Sequence, residues 1–335
     1  MIPDTSWDQA LNLMKASRNP LLVAHVSPDA DSLGSAIALA IGLHSVGVAS
    51  TVSVGQPGLP LPPGLDSLPG IEFYVDAAEV DEPDLVVTLD ASSTDRLGTL
   101  GPLTETHTTI AIDHHRTYTD FADLALVDYD APATATIVRQ LLDRLGAPIT
   151  SDIATNLYAG LLTDTGSFRL PMVDADVHRQ AGELLEAGAD AEPARDLIDR
   201  VPANALRLLG RALETAVLYP DEAAGNGVVV ATIPRADRAE LGLPINETER
   251  IVATLRSVDE ADVAVVLREN DDATWIVSLR SRGAVDVSAV AKVFGGGGHQ
   301  MAAGATVGLS PEQVLPKLFT LFDANLINGA ESDRS

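Results

Sequence analysis

Three short runs of apolar residues set the strongest limit on how the first half of this chain can fold. They are residues 21–26 (LLVAHV), 85–90 (LVVTLD) and 108–113 (TTIAID), with a shorter run at 51–54. Because neighbouring positions are apolar, both faces of each strand must be covered, which is typical of a parallel sheet between helices. Apolar residues at helical spacing follow at 32–46, 133–145, 151–163 and 175–187. The pattern predicts an α/β fold with a parallel sheet.

A second strand-and-helix pattern begins near Gly227 and predicts another domain. Its predicted strands are residues 228–233, 262–267 and 274–279, and its predicted helices are residues 247–258, 287–293 and 311–326. A chain of 335 residues is long enough for two domains with separate cores. We therefore expect a catalytic domain at residues 1–192, a helical connector at 193–218, a smaller α/β domain at 219–328 and a flexible tail at 329–335.

The charge of the chain limits its partners. Lys and Arg total 22 against 48 Asp and Glu, a formal net charge of −26, so the composition shows no overall basic character of the kind that binding of long nucleic acid usually requires. A short anionic substrate is compatible with this charge, because bound metal ions reverse the local field. The N-terminus has no apolar signal segment and no apolar run approaches the ~20 residues of a membrane span. We expect a cytoplasmic protein without membrane contact.

Histidine and aspartate residues gather in four short segments, three of which lie at the carboxyl ends of predicted strands of the first domain. The segments contain His25, Asp29 and Asp31; Asp90; Asp113, His114 and His115; and Asp164. Ligands of parallel α/β sheets bind outside the carboxyl ends of the strands, where these segments would meet. Because the chain has no cysteine, a metal would be held by imidazole and carboxylate. That set suits Mn²⁺, and less well Mg²⁺, Co²⁺ or Fe²⁺.

Each segment by itself has a simpler explanation. A strand-end aspartate more often forms a turn, and Asp31 in particular could cap the helix predicted to begin at Ser32. A lone His25 is more often a hydrogen-bonded core residue, and Arg96 and Arg116 are explained equally well as phosphate contacts or as solvated surface residues. Several carboxylates at one sheet edge would repel one another, however, unless cations lie between them. The segments together therefore predict a metal centre.

The order of the motifs resembles that of a known family. An HxxxDxD segment, a strand-end aspartate, Asp-His-His and a later aspartate in TDTGSF are similar to the ordered motifs of the DHH phosphoesterases. GGGGH at residues 295–299 is similar to the signature of their DHH-associated C-terminal domain, and the chain most resembles the nanoRNase and pAp-phosphatase group. The resemblance implies a hydrolase of short oligoribonucleotides, of 3′-phosphoadenosine 5′-phosphate (pAp), or of linear and cyclic di-adenylates (pApA and cyclic di-AMP). It also implies a homodimer.

The resemblance further implies roles for the individual residues. One Mn²⁺ would be bound by His25, Asp29 and Asp90. A second Mn²⁺ would be bound by Asp31, Asp90, His114 and Asp164. Mg²⁺ or Co²⁺ is the alternative metal for both positions. His115 would contact the phosphate or the leaving group, and Asp113 would orient a histidine. Because neighbouring side chains of a strand point in opposite directions, His114 and His115 are expected to differ in function.

The glycine run of the second domain is the predicted substrate-binding segment. Consecutive glycines present backbone N–H groups and admit a phosphate or a base at close range, although many such runs are only flexible loops. We interpret Arg280, Gly297, Gly298 and His299 as the clamp for the part of the nucleotide away from the scissile bond, with the active site in the cleft between the two domains. Arg282 is the alternative to Arg280.

Three other functions share part of this pattern. A family II inorganic pyrophosphatase has the N-terminal metal motifs, but its different C-terminal domain carries a basic Ser-Arg-Lys type motif that is not found in this sequence. A RecJ-like single-strand exonuclease usually carries further nucleic-acid-binding domains and a basic surface. A non-catalytic nucleotide sensor on the same fold would not need the complete set of metal ligands. GGGGH and that complete set favour the small-nucleotide phosphoesterase.

Overall fold

The chain divides into two units, Met1–Arg200 and Val201–Ser335, in the computed structural model. The structure describes residues 2–170 and 172–327. The predicted flexible tail therefore lies outside the described residues. None of the described helices is both long enough and apolar enough to cross a membrane.

The first unit contains the predicted parallel sheet. Its strands are β1 (Pro20–Ala24), β2 (Thr51–Val54), β3 (Leu85–Leu89), β4 (Thr109–Asp113) and β5 (Leu124–Val127). They are all parallel and lie in the order β2-β1-β3-β4-β5, which confirms the fold expected for this half of the chain. The apolar runs do not predict β5, because this edge strand is short and only alternate residues are buried.

The central strands are apolar at every position because both faces of the sheet are covered. Leu22 and Val87 pack into the larger core beneath the helices, whereas Leu21 and Val86 pack into a smaller core on the other face. The 3-10 segment Thr94–Glu105 closes the smaller core. Side chains of a strand alternate between faces, so a strand covered on both sides needs a continuous apolar run.

The helices of the first unit supply most of the larger core. They are α1 (Asp4–Ala16), α2 (Ala30–Ser45), α3 (Thr134–Leu145), α4 (Ser151–Asp164), α5 (Ala175–Glu186) and α6 (Ala191–Asp199). Further 3-10 turns lie at Leu65–Ser67, Ile71–Phe73 and Ala77–Glu79. Helix α6 occupies the first part of the predicted connector, residues 193–218, and ends next to the boundary between the units.

The second unit has its own six-stranded sheet. Its strands are β6 (Val217–Tyr219), β7 (Val228–Ile233), β8 (Val263–Glu269), β9 (Trp275–Ser281), β10 (Gly297–His299) and β11 (Ala302–Val307). The order is β10-β11-β9-β8-β7-β6, in which β7 and β8 are parallel and the other neighbours are antiparallel. Its helices are α7 (Ala203–Glu214), α8 (Arg235–Glu240), α9 (Glu249–Leu255), α10 (Val287–Val293) and α11 (Pro311–Ala324). The second half is thus also α/β, as predicted.

Candidate metal centre and substrate cavity

The strand-end residues are level with one another at one edge of the first sheet. Strands β1 and β3 pair at their last residues, Ala24 and Leu89. On its other side, Leu89 pairs with Ile112, the residue before the last one of β4. The next residues along these three strands are His25, Asp90 and Asp113. Because parallel strands end at the same edge, residues far apart in the chain lie side by side here.

Helix α2 carries the next two carboxylates. Asp29 is its N-cap and accepts a hydrogen bond of 2.9 Å from the N–H of Ser32, while the hydroxyl of Ser32 accepts one of 3.1 Å from the N–H of Asp29. The alternative that Asp31 caps this helix is therefore wrong. Asp31 lies in the first turn, and its fully buried carboxylate accepts from the N–H groups of Thr134 and Ala135 over 2.7 and 2.9 Å.

Asp90 lies between the other candidates. Its backbone is in the left-handed region with a φ of 60°, which Asp and Asn tolerate better than most residues with a side chain. Its Oδ2 lies 3.5 Å from Nε2 of His25, and its Oδ1 lies 3.5 Å from Nε2 of His114. Oδ1 also accepts a hydrogen bond of 2.8 Å from the hydroxyl of Thr134. The two oxygens of Asp90 thus face two different groups of side chains.

The side chains of His114 and His115 do not point in opposite directions, so that prediction was wrong. Strand β4 ends at Asp113 and its alternation stops there, and the two imidazole rings lie edge to face with centroids 4.8 Å apart. They nevertheless have different partners. Nδ1 of His114 lies 3.1 Å from the carbonyl oxygen of Ala131, and Nδ1 of His115 lies 2.8 Å from Oδ1 of Asp113.

Among residues 2–170 and 172–327, three groups of side chains have the spacing of a metal site. In each group one nitrogen or oxygen atom per residue lies within 4.8 Å of the others. The groups are His25, Asp29 and Asp90; Asp31, His114 and Asp164; and Asp90, His114 and His115. The first two groups contain the residues expected to bind the two metals. The third adds His115, for which the resemblance implies a different role.

The nitrogen Nε2 of His114 shows that these residues fit a cation. It is buried and has no hydrogen-bond partner among residues 2–170 and 172–327. It faces Oδ2 of Asp164 at 3.3 Å and Oδ1 of Asp90 at 3.5 Å, while Nδ1 on the other side of the ring is held by the carbonyl oxygen of Ala131. A buried imidazole nitrogen without a hydrogen-bond partner, beside two carboxylate oxygens, matches the donor set of a divalent cation.

The pKa values of three candidate ligands are raised. Burial, and then the charge of Asp90, raises the pKa of both Asp31 and Asp164 well above the usual range of an aspartate. Burial opposes protonation of His25, but hydrogen bonds with Asp29 and Asp90 raise its pKa to about 10. Metal ligands must be deprotonated, so a cation would compete with protons for these side chains.

Two arginines near the segments have different environments. The Nη2 atom of Arg96 lies 3.0 Å from Nδ1 of His25, and the carbonyl oxygen of Arg96 accepts from the N–H of Val26 over 2.7 Å. The guanidinium of Arg116 forms a 3.3 Å ion pair with Asp130, in which both side chains are exposed. Arg96 is thus beside the candidate metal centre. No motif in the sequence distinguishes it from Arg116.

A cavity of about 670 Å³ lies beside the glycine run in the second unit. The predicted substrate-binding residues that line it are Arg280, Gly297, Gly298 and His299. The guanidinium of Arg282 instead donates to the carbonyl oxygens of Arg256 and Asp259. The cavity also includes Arg268 and Ser278, whose side chains share a hydrogen bond of 2.8 Å and which sequence reasoning missed. Ser278 precedes Arg280 by two residues on β9, so the period of the strand could have indicated it.

The glycine run is part of a hairpin and not a flexible loop. Gly297, Gly298 and His299 form the edge strand β10, which pairs with β11 in antiparallel orientation. A Cβ at Gly296 or Gly298 would lie 2.1 or 2.5 Å from a carbonyl oxygen of β11, so glycine at these positions allows the two backbones to approach. A Cβ at Gly297 would meet no atom of the described residues within 4 Å. Gly297 is therefore the position at which a side chain would enter open space.

Comparison with known proteins now identifies the family. The model of the DHH family, N-terminal domain, matches residues 20–161, and the model of the DHHA1 domain matches residues 225–328. The bifunctional oligoribonuclease and PAP phosphatase NrnA of Thermus thermophilus is 35% identical over 309 residues, which cover 91% of this chain and 90% of the relative. The chain belongs to the DHH family.

The assignment agrees with the positions of the two candidate sites. The candidate metal ligands lie within the matched DHH domain, except Asp164, which follows its last matched residue, and the cavity lies within the DHHA1 domain. The bifunctional oligoribonuclease and PAP phosphatase NrnA of Bacillus subtilis is 26% identical over 295 residues, covering 86% of this DHH protein and 88% of the relative. An exopolyphosphatase-related protein from Bacteroides fragilis has the same fold, with a TM-score of 0.86, 24% identity and 97% of each chain covered.

Proposed function

We propose that this DHH protein is a two-metal phosphoesterase that hydrolyses short oligoribonucleotides and pAp, with pApA and cyclic di-AMP in the same substrate class. The observation that carries the proposal is the meeting of the candidate ligands at one edge of the sheet, with Asp90 between them. The oligoribonuclease and PAP phosphatase activities in the names of the Thermus thermophilus and Bacillus subtilis relatives supply the substrate class.

The metal site is proposed to bind two Mn²⁺ ions. His25, Asp29 and Asp90 are the proposed ligands of the first ion. Asp31, Asp90, His114 and Asp164 are the proposed ligands of the second ion. Imidazole with carboxylate suits Mn²⁺, and Mg²⁺ or Co²⁺ is the alternative. When bound, such a pair of ions supplies a water of lowered pKa and neutralises the charge of the phosphate.

Asp113 and His115 are the proposed catalytic pair beside the metal ligands. Oδ1 of the buried Asp113 accepts from the N–H groups of His114 and His115 over 2.8 and 3.2 Å and from Nδ1 of His115 over 2.8 Å. Three donors hold this carboxylate in place, and the carboxylate in turn sets the orientation of the imidazole. We assign Nε2 of His115 to contact with the phosphate or the leaving group.

The cavity of the second unit is proposed to hold the part of the nucleotide that is not cleaved. Arg268 and Arg280 are among the residues that line it, although the chain as a whole has a net charge of −26. Guanidinium groups and backbone N–H groups are the usual donors to phosphate oxygens. Gly297, Gly298 and His299 form its rim on β10, an edge strand whose outer side is not used for pairing within the sheet. A site that holds one terminal nucleotide favours short substrates.

Product formation in the presence of Mn²⁺ tests the proposed function. The substrates are pAp, pApA, cyclic di-AMP, RNA di- to pentanucleotides with and without a 5′-phosphate, and inorganic pyrophosphate. We expect hydrolysis of pAp and of the shortest oligomers, with a rate that falls as the oligomer lengthens and no release of phosphate from pyrophosphate. EDTA should abolish activity, and Mn²⁺, Mg²⁺ and Co²⁺ added back separately rank the metals. Preferential cleavage of pyrophosphate or of long single-stranded DNA would contradict the proposal.

A further inference from the structure

Thr134 connects two of the candidate metal ligands from the start of helix α3. Its hydroxyl donates to Oδ1 of Asp90 over 2.8 Å, and its backbone N–H donates to Oδ2 of Asp31 over 2.7 Å. Thr134 and Asp31 are fully buried and Asp90 is nearly so, with water excluded from these hydrogen bonds. Neither partner is near Thr134 in the chain, so no local motif indicates this connection.

The hydroxyl of Thr134 sets the orientation of the carboxylate of Asp90. The oxygen that accepts from Thr134, Oδ1, is also the one that faces Nε2 of His114, whereas Oδ2 faces Nε2 of His25. Rotation of an aspartate carboxylate about χ2 is soft, and a single directional donor is enough to select one orientation. A carboxylate that is shared between two groups of ligands must keep one oxygen on each side.

The backbone at the start of α3 sets the position of Asp31. The residue before this helix, Ala133, provides no side-chain cap, and the N–H groups of Thr134 and Ala135 donate to Asp31 instead. Gly160 of α4 leaves the space for this arrangement, since a Cβ there would lie 2.7 Å from Oδ1 of Asp31. Helices α2, α3 and α4 thus meet around one buried carboxylate.

We propose that Thr134 is a positioning residue of the metal centre, which orients Asp90 through its hydroxyl and Asp31 through its backbone N–H. The inference rests on the proposed function in one respect, which is that Asp90 and Asp31 are metal ligands. Thr134 acts through these two carboxylates and not on the substrate. Loss of its hydroxyl is expected to weaken metal binding by about 10- to 100-fold, which is typical of groups that orient metal ligands.

Two substitutions at Thr134 and one matched control test the proposal. Thr134→Val removes the hydroxyl at nearly constant shape, and Thr134→Ser keeps it. Thr136→Val is the control, because Oγ1 of Thr136 is buried two residues further along the same helix and has no hydrogen-bond partner in the described part of the chain. Titration of each protein with Mn²⁺, followed by the electron paramagnetic resonance signal of the free ion, measures affinity and stoichiometry without any substrate. Circular dichroism of the metal-free proteins checks folding.

We expect weaker Mn²⁺ binding in Thr134→Val and near wild-type binding in Thr134→Ser and Thr136→Val. Wild-type affinity in a folded Thr134→Val protein would overturn the proposal, and so would equal weakening in Thr134→Val and Thr134→Ser. If Thr134→Val does not fold, Thr134→Ala, which needs less space, is titrated in the same way. The Mn²⁺ titration does not depend on turnover, so failure of the wild-type protein to hydrolyse nucleotides counts against the proposed function alone.

Discussion

The imidazole of His115 donates from Nδ1 to Oδ1 of Asp113 over 2.8 Å. The adjacent His114 uses a different acceptor, the carbonyl oxygen of Ala131, at 3.1 Å. The hydrogen bond to Asp113 is the main cause that raises the pKa of His115 to about 9, and Nε2 of His114 faces the carboxylate of Asp90. The two imidazoles therefore differ in chemical environment even though their rings lie side by side.

Replacement of each histidine by alanine tests whether this difference is functional. His114→Ala is expected to lose one bound Mn²⁺, because Nε2 no longer lies between Asp90 and Asp164. His115→Ala is expected to keep both ions and to lower kcat by about 10²- to 10⁴-fold, the usual effect of losing a group that transfers a proton. Mass spectrometry of the bound metal and turnover of pAp provide the two measurements. Equal loss of metal in both variants would instead make His115 a ligand.

Substitution of Asp90 tests the shared position in the metal centre. Asn is the appropriate replacement, because it also tolerates the left-handed backbone, whereas Ala would add strain at a φ of 60°. Asp90→Asn is expected to lose almost all turnover and to lower the number of bound Mn²⁺ ions, since each group of ligands loses a charged oxygen. Thermal melts of the metal-free protein should resemble those of the wild type. Near-normal turnover with two bound ions would refute the shared position.

The binding of Mn²⁺ is expected to strengthen as the pH rises from about 6 to about 8, because protons and metal ions compete for the same ligands. The pKa of Asp31 and of Asp164 is raised well above the usual range, and that of His25 is raised to about 10. Because the pKa of His25 is about 10, its imidazole holds a proton at neutral pH that binding must release, and the raised pKa of Asp31 and of Asp164 acts in the same direction. Calorimetry in buffers of different ionisation enthalpy counts the protons released. Binding without proton release and without pH dependence would contradict the prediction.

Gly297 allows the substrate cavity to be tested without disturbing the hairpin. Gly297→Val adds a side chain where a Cβ would lie more than 4 Å from every atom of residues 2–170 and 172–327 outside its own neighbours, so the pairing of β10 with β11 should survive. We expect the KM for pApA to rise by about 10-fold or more, because a distal nucleotide can no longer be held. Hydrolysis of bis-p-nitrophenyl phosphate, which has no distal nucleotide, should change little. Both rates are measured at the same Mn²⁺ concentration.

Gly298→Ala and His299→Ala provide the comparison for this test. The backbone of Gly298 has a φ of 139°, and a Cβ there would lie 2.5 Å from a carbonyl oxygen of β11, so Gly298→Ala should lower the melting temperature. His299→Ala should behave like Gly297→Val, with weaker use of pApA and unchanged metal content. Loss of both activities in Gly297→Val would indicate a folding defect, and loss of neither would show that the cavity does not bind the substrate.

Strand β10 and helix α1 are not among the elements predicted above, and they differ in how much signal the sequence carries for them. Strand β10 is made largely of glycine, and its strand state comes from pairing with β11, which only the folded chain shows. Helix α1 is different, because Trp7, Ala10, Leu11 and Met14 are buried at helical spacing. That spacing is present in the sequence and is sufficient to predict the helix.

The sequence by itself determined which residues meet at the end of the first sheet. The apolar runs specify parallel strands, and the residue that follows a strand, such as His25 or Asp90, then has its place from local order alone. Only the tertiary structure decided which side chains form hydrogen bonds with one another and which line the cavity. The capping of α3 by Asp31, the hydrogen bond from Thr134 to Asp90 and the place of Arg280 in the cavity join residues that are distant in the chain. Their geometry depends on how helices and strands pack and on side-chain rotamers, which no local pattern contains.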